Sequence, residues 1–143
     1  SHTINYKARM EIQEQENKRV VTALYEALIN KDVNTVHSLL APDIDWWFHG
    51  PPTHQHLMHI LNGSSSSLKD SFIFIPQSVA AFESTVLVEG DNKEGSVSWV
   101  HAWTLSDGII KQVKEYFNTG VTVTRFGVSE AVSQSPPLVV KSP

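Results

Sequence analysis

The chain has 143 residues, a length that suits one domain, and its hydrophobic share of 41% is ordinary for a globular protein. It contains no cysteine, which excludes disulfides, thiolate catalysis and cysteine-based zinc sites and is consistent with a reducing compartment. The net charge is −4 and no basic cluster exceeds Lys18-Arg19, so nucleic acid is not an expected partner. No apolar run approaches the roughly 20 residues of a membrane span, so no such span is expected.

The first part of the chain is predicted to be mainly helical. Apolar side chains recur at helical spacing in a long first segment, whose front half is polar. Asp32 is a candidate cap for a short second helix that ends before Pro42, and Thr53 is a candidate cap for a third. The predicted elements are helices over residues 11–30, 33–41 and 53–63, with a strand over residues 43–52, DIDWWFHGPP, between the second and third.

The second part is predicted to be a sheet. Two hairpin turns are expected, one over residues 91–95 and one at Ser106-Asp107-Gly108, because an Asp-Gly pair favours a tight turn. Helices followed by a run of strands favour an α+β fold in which helices cover one face of a curved antiparallel sheet, leaving a conical cavity. The predicted strands cover residues 71–82, 84–91, 96–106 and 109–118, with a candidate sixth strand over residues 121–126.

Strand alternation gives three strands a face that combines apolar side chains with one histidine or glutamate. His49, His101 and Glu115 are these polar groups, and we predict that they line the cavity with aromatic walls, as in many ligand sites. The other face of the first strand, with Trp46 and Phe48, is predicted to pack behind the cavity or at a dimer contact. The predicted cavity faces carry Asp45, Trp47 and His49; Val97, Trp99, His101 and Trp103; and Ile109, Lys111, Val113, Glu115 and Phe117, while Lys114, Tyr116 and Asn118 point the other way.

The order of elements, together with DIDWWFHGPP, SVSWVHAWTLSDGII and VKEYFNTGVTVTRF, resembles the nuclear transport factor 2-like (SnoaL-like) superfamily and, within it, the plant wound-induced and senescence-associated proteins. The resemblance implies a cone-shaped fold with a curved antiparallel sheet wrapped around helices, an internal apolar pocket, and often a dimer formed through the sheet. The superfamily includes ketosteroid isomerase, limonene epoxide hydrolase, polyketide cyclases and many non-enzymes, so the fold does not settle the function. We expect a flexible N-terminus over residues 1–10, the domain over residues 11–126 and a flexible tail over residues 127–143.

Individual positions carry this resemblance further. Trp47 and His49 stand where limonene epoxide hydrolase holds its attacking water, and Glu115 takes the place of its catalytic aspartate. Trp99 and His101 lie near the place of its Asp-Arg pair, but the arginine is absent here. Epoxide hydrolysis through that proton relay is therefore not expected.

Two interpretations of the polar groups remain open. Glu115, His49 and His101 are candidate catalytic acid–base groups, because a carboxyl group and imidazoles can exchange protons near neutral pH. A buried structural hydrogen bond between a histidine and a glutamate would leave the same pattern in the sequence. The candidate ligand-binding residues are Trp47, His49, His54, Trp99, His101, Trp103, Glu115 and Phe117.

No metal or other cofactor is predicted. His54, His56 and His59 lie close together in the third helix, but they do not form a His-Glu-x-x-His motif. We expect His56 and His59 at the surface and His54 near the mouth of the cavity.

The favoured hypothesis is a protein without catalytic activity that binds a small apolar molecule, terpenoid- or hormone-like, or assists partner enzymes in plant stress, wounding or specialised metabolism. The alternatives are a cofactor-independent isomerase, cyclase or hydrolase that uses Glu115 with His49 or His101, and a dimeric protein-interaction scaffold. The expected partners are the small molecule, a second copy of the chain bound through the outer sheet face, and enzymes of a plant pathway. The expected location is the cytoplasm, with the nucleus as the alternative.

Overall fold

The computed structural model describes residues 2–61, 73–91 and 97–119. Two helices precede the first strand, a third helix follows it, and four further strands complete a five-stranded sheet. The α+β prediction is confirmed. In chain order the elements are α1 (His2–Ile29), α2 (Val33–Leu39), β1 (Leu40–His49), a 3-10 turn (Pro52–His54), α3 (His56–Leu61), β2 (Ser78–Phe82), β3 (Thr85–Asp91), β4 (Val97–Ser106) and β5 (Ile109–Thr119).

Helix α1 is longer than the prediction. It begins at His2 rather than at residue 11, and the side chains of residues 5–9 are exposed. Amphipathic spacing could not reveal this part of the helix, because no apolar face is buried there. The C-terminal half packs on the sheet through buried side chains that include Val20, Val21 and Leu24.

Polar side chains of α1 also hold the turn between β2 and β3. The backbone N–H of Glu83 donates to Glu14 Oε2 at 2.8 Å, and Asn17 Nδ2 donates to the Glu83 carbonyl oxygen at 3.3 Å. Glu83 has a φ of 55°, a left-handed conformation that is uncommon outside glycine. These two contacts fix the end of the hairpin against the helix.

The sheet has the order β1-β5-β4-β3-β2 and is mixed rather than antiparallel. The pairs β2–β3, β3–β4 and β4–β5 are antiparallel, but β1 and β5 run parallel. The prediction of a fully antiparallel sheet is wrong at this pair because no hairpin joins β1 to β5, so no tight turn imposes an antiparallel direction.

The β4–β5 hairpin confirms the Asp-Gly turn. Asp107 and Gly108 have φ values of 52° and 77°, as both central residues of a type I′ turn require. The turn predicted over residues 91–95 extends outside the described residues, as do the sixth strand at residues 121–126 and the tail. The strand predicted from residue 71 begins at Ser78.

A bulge in β5 corrects one predicted face. Thr104 pairs with Gln112 while Leu105 pairs with Ile110, which leaves Lys111 as an extra residue. The bulge shifts the alternation by one position, so Ile110 is buried rather than Ile109, and Lys111 is exposed.

One core lies between α1 and the concave face of the sheet, which is the face that α1 covers. Its buried apolar side chains come from α1, α2, α3 and the strands β1, β3, β4 and β5, together with Phe74. Within the described residues, none of the helices has the length and apolarity needed to cross a membrane.

Candidate functional site

Strands β4 and β5 place the predicted polar pair on the concave face. His101 pairs with Glu115, and Trp99 pairs with Phe117, with all four side chains buried. Trp103 is buried on the same face. The alternation therefore predicted these positions correctly, while their role in binding or catalysis stays a prediction.

Strand β1 presents the opposite face from the one predicted. Phe48 pairs with Glu115 across the parallel β1–β5 ladder, so Phe48 and Trp46 lie on the concave face and pack against the core. Trp47 is 42% exposed and lies with His49 on the outer face. The prediction that Trp47 and His49 line the cavity is wrong, because alternation separates the two faces of a strand without showing which one is covered.

Trp47, His49 and Tyr116 form an outer cluster on the exposed face of the sheet. The Trp47 and His49 rings are stacked with centroids 5.3 Å apart, and the Trp47 and Tyr116 rings are 5.2 Å apart. His49 is therefore separated from His101 and Glu115 by the sheet itself and cannot share their chemistry.

A chain of buried hydrogen bonds runs across the concave face. Trp103 Nε1 donates to the Tyr25 hydroxyl oxygen at 2.9 Å, and that hydroxyl is hydrogen-bonded to His101 Nδ1. His101 Nε2 lies 2.6 Å from Glu115 Oε2. Each of these side chains is at most 2% exposed, and we call the four residues the buried relay.

The Trp103 end of the buried relay has a fixed hydrogen-bond direction. The indole N–H of Trp103 can only donate, so the Tyr25 oxygen accepts. The Tyr25 hydroxyl donates to His101 Nδ1 when that nitrogen carries no proton, and His101 Nε2 then donates its proton to the carboxylate oxygen Oε2 of Glu115.

Tyr25 is the member of the buried relay that the sequence did not predict as a site residue. Burial raises the pKa of its phenol well above the ordinary value, the hydrogen bond from Trp103 lowers it, and the negative charge of Glu115 raises it. Tyr25 therefore keeps its proton and remains a donor to His101. The sequence TALYEAL places Tyr25 at helical spacing in the first predicted helix, which by itself indicates only a place on its apolar face.

Three buried polar atoms on the concave face lack partners. Glu115 Oε1, Trp99 Nε1 and Trp46 Nε1 have no hydrogen-bond partner among the residues that the structure describes, and on the outer face the same holds for His49 Nε2 and Ser98 Oγ. Leaving such an atom unpaired costs about 1–3 kcal/mol. Glu115 thus has one oxygen held by the buried relay and one that can accept a further hydrogen bond.

Phe74 fills the concave space beside these atoms. Its ring is T-shaped against Trp99 at 5.1 Å and against Phe117 at 6.1 Å, and it lies 5.0 Å from the His101 ring. The apolar space that the sequence predicted as a pocket is therefore occupied, at this point, by a side chain of the protein. Phe74 was predicted only as part of a strand, so its position was also missed.

His54 and His56 lie at the end of the site formed by Phe117. The His54 ring is 5.0 Å and the His56 ring 5.8 Å from the ring of Phe117. Burial lowers the pKa of His56, His54 and His59 lower it further, and Glu115 opposes them. His56 is thus half-buried rather than at the surface as predicted. Within the described ranges, no three histidine, aspartate or glutamate side chains are arranged to hold a metal ion.

Two glycines allow the backbone to approach the site closely. A Cβ at Gly90 would lie 2.6 Å from a ring atom of Trp99, and a Cβ at Gly50 would lie 1.8 Å from the carbonyl oxygen of Phe117. Gly90 therefore makes room for the Trp99 indole, and Gly50 lets the end of β1 approach β5.

Comparisons with known proteins place the chain in a family. Residues 58–142, more than half of the chain, match the family model described as wound-induced protein WI12. The chain belongs to the wound-induced protein WI12 family. It is 51% identical to Wound-induced protein 1 of Solanum tuberosum over 76 residues, which are 53% of this chain and 72% of that protein.

A second relative supports the same family. Senescence associated gene 20 of Arabidopsis thaliana is 53% identical over 70 residues, which are 49% of this chain. The match spans 64% of that relative's length, so less than two thirds of it is represented. The predicted resemblance to wound-induced and senescence-associated plant proteins is confirmed.

Solved structures show that the fold is nuclear transport factor 2-like. An NTF2-like protein of Burkholderia xenovorans has a TM-score of 0.54 and 21% identity, covering 78% of this chain and 95% of that one. TerC, co-crystallised with polyporic acid, has a TM-score of 0.56 and 18% identity, covering 80% and 98%. A proposed SnoaL-like polyketide cyclase of a Jannaschia species has a TM-score of 0.53 and 15% identity, covering 81% and 93%. At these identities the likeness concerns the fold alone.

Proposed function

We propose that the chain is a small-molecule-binding protein of the plant wound and senescence response, and that it holds its ligand on the concave face beside Glu115 and Trp99. The observation that carries the proposal is an unpartnered carboxylate oxygen, Glu115 Oε1, on the same face as the unpartnered indole N–H of Trp99, with both side chains only 1% exposed. Buried polar atoms in folded proteins are nearly always hydrogen-bonded, so an acceptor and a donor left open on one apolar face suit a ligand. The names of the plant relatives support the physiological setting.

The buried relay supports this proposal by fixing the carboxylate. Glu115 Oε2 accepts from His101, whose ring is oriented by Tyr25, which is in turn held by Trp103. Each partner is buried, so Glu115 presents Oε1 in one orientation. A preorganised group of this kind loses little conformational entropy when a ligand binds.

The relationship to TerC supports a ligand on this fold. TerC has the same fold and was crystallised with polyporic acid. In the present chain Phe74 occupies the concave space, so ligand binding requires that its ring move aside.

The test is a thermal-shift and tryptophan-fluorescence screen of the full chain against neutral aromatic and terpenoid compounds. A ligand at 100 times its Kd adds about 2.7 kcal/mol to the stability of the folded state. We expect Trp99→Phe to remove most of the fluorescence response and Trp47→Phe, on the outer face, to retain it. A response that depends on Trp47 and not on Trp99 would place the ligand on the wrong face.

Catalysis is the second candidate, favoured by the buried relay itself. A carboxylate oriented by a histidine and a tyrosine can act as a general base on a bound substrate. In that case Glu115 would be the catalytic residue, and His101 and Tyr25 would position it. Glu115→Gln should then abolish turnover of a ligand found in the screen while the thermal unfolding midpoint shows that the chain still folds; unchanged turnover would remove Glu115 from the reaction.

We further propose that a second copy of the chain binds at the outer face of the sheet. Trp47 and Leu87 lie in one row of paired positions across that face, with Lys114 and Ala102 between them, and both large apolar side chains are exposed. Trp47→Ser should shift the mass measured by light scattering from dimer to monomer, and an unchanged mass would exclude this surface. We propose the cytoplasm, or alternatively the nucleus, as the location of the protein.

A further inference from the structure

Two of the three unpaired atoms on the concave face, Glu115 Oε1 and Trp99 Nε1, offer different hydrogen bonds to a ligand. Glu115 Oε1 belongs to a carboxylate and accepts hydrogen bonds, whereas Trp99 Nε1 can only donate. A pure hydrocarbon would satisfy neither atom. A hydroxyl group can donate its proton to one and accept from the other, and it is the smallest group that can do both.

The charge of the site restricts the class of ligand that it can bind. The buried polar and charged residues of the described chain are Asn17, His101 and Glu115, so no lysine or arginine is buried beside the carboxylate. Burial also lowers the pKa of His56, which disfavours its cationic form. An anionic ligand would therefore meet the Glu115 carboxylate at low dielectric with no buried lysine or arginine beside it.

The shape of the site is indicated by the ring that fills it. The Phe74 phenyl ring is in T-shaped contact with Trp99 and Phe117, with interplanar angles of 86° and 89°. A ligand that displaces this ring keeps the same aromatic contacts if it is itself a flat six-membered ring. Gly90 lets the Trp99 indole pack directly against the backbone of β3, since a Cβ at Gly90 would lie 2.6 Å from the ring.

We propose that the ligand is a neutral phenolic compound whose ring replaces that of Phe74, whose hydroxyl group donates to Glu115 Oε1, and which accepts from Trp99 Nε1. This inference rests on the proposed function and replaces the apolar terpenoid-like class that the sequence suggested. The phenol proton stays on the ligand, so no covalent or proton-transfer step is involved.

The test compares four probes of similar shape: phenol, toluene, benzoate and benzylammonium. Binding is measured by titration calorimetry and thermal shift with the full wild-type chain and with Phe74→Ala, which leaves a phenyl-sized space. We expect phenol to bind at least tenfold more tightly than toluene, because phenol makes two additional buried hydrogen bonds and each is worth up to about that factor. Phe74→Leu serves as a milder variant if Phe74→Ala does not fold.

The outcomes separate this inference from the function on which it rests. Toluene, benzoate or benzylammonium binding as tightly as phenol would overturn the phenolic class and leave the small-molecule site in place. Failure of all four probes to bind either protein would overturn the proposed function as well. Trp99→Phe should reduce the preference for phenol over toluene, whereas Trp47→Phe should not change it; equal effects would remove Trp99 from the hydrogen bond.

Discussion

The substitution Tyr25→Phe tests the buried relay with the removal of one atom. The hydroxyl oxygen of Tyr25 accepts from Trp103 Nε1 at 2.9 Å and is hydrogen-bonded to His101 Nδ1. Phenylalanine keeps the ring and its contacts with the core but leaves both nitrogen atoms without a partner. Each buried polar atom left unpaired costs about 1–3 kcal/mol, so we expect a loss of about 2–6 kcal/mol in the free energy of unfolding.

This loss is large enough to measure. A change of 1 kcal/mol moves the unfolding midpoint of a domain of this size by about 3 °C, so Tyr25→Phe should lower Tm by roughly 6–18 °C. The assay is urea denaturation followed by circular dichroism, with calorimetry for Tm. The matched control is Tyr6→Phe, because Tyr6 is 59% exposed and a surface substitution changes stability by about 0.5 kcal/mol or less. Equal stability of the two variants would refute the buried relay.

The remaining predictions concern backbone packing and pH. Gly50→Ala should prevent stable folding, since a Cβ there would lie 1.8 Å from the Phe117 carbonyl oxygen. Gly108→Ala should cost only about 1 kcal/mol of unfolding free energy, because nothing lies within 4 Å of its Cβ and only the φ of 77° opposes it. Urea titrations that give the two variants equal stability would contradict this. Burial raises the pKa of Tyr25 above its unfolded value, so the contribution of its protonated phenol to the free energy of unfolding is present below about pH 10 and is lost at higher pH. Above that pH the stability of the wild type should fall more steeply than that of Tyr25→Phe, by up to about 1.4 kcal/mol per pH unit. The pKa of His56 is lowered chiefly by burial, so its contribution is present above about pH 6.5 and lost as pH falls; an NMR titration should give a value below 6.5, and a value at or above it would show that the ring is solvated.

The strand faces show what the sequence could and could not predict. Alternation correctly put Trp99, His101 and Trp103 on one face and placed Glu115 on the face that meets them. For β1 the same rule separated Trp46 from Trp47 but gave no information on which side the helices cover. The choice followed the polarity of His49, yet the parallel pairing with β5 decides the matter by setting Phe48 beside Glu115.

Long-range contacts explain the other omissions. Tyr25 and His101 are 76 positions apart in the chain, so no local spacing could reveal their hydrogen bond. Phe74 lies before β2 and reaches the rings of β4 and β5, which a prediction of continuous strand from residue 71 could not show. The bulge at Lys111 exchanged the faces of Ile109 and Ile110, although both residues are equally apolar.

The indole N–H signals of the tryptophans give the most direct test of a ligand site beside Glu115. The indole N–H groups of Trp99 and Trp46 have no partner in the described chain, and that of Trp103 is bonded to Tyr25. The side chain of Trp47 lies on the outer face. We propose to record two-dimensional ¹H–¹⁵N spectra of the full chain during titration with phenol, with toluene as the matched probe that offers no acceptor and Trp99→Phe assigning the signal. A site beside Glu115 predicts that the Trp99 signal moves downfield as it gains an acceptor, while the Trp103 signal stays in place. Movement of the Trp47 signal alone, or of none, would contradict it.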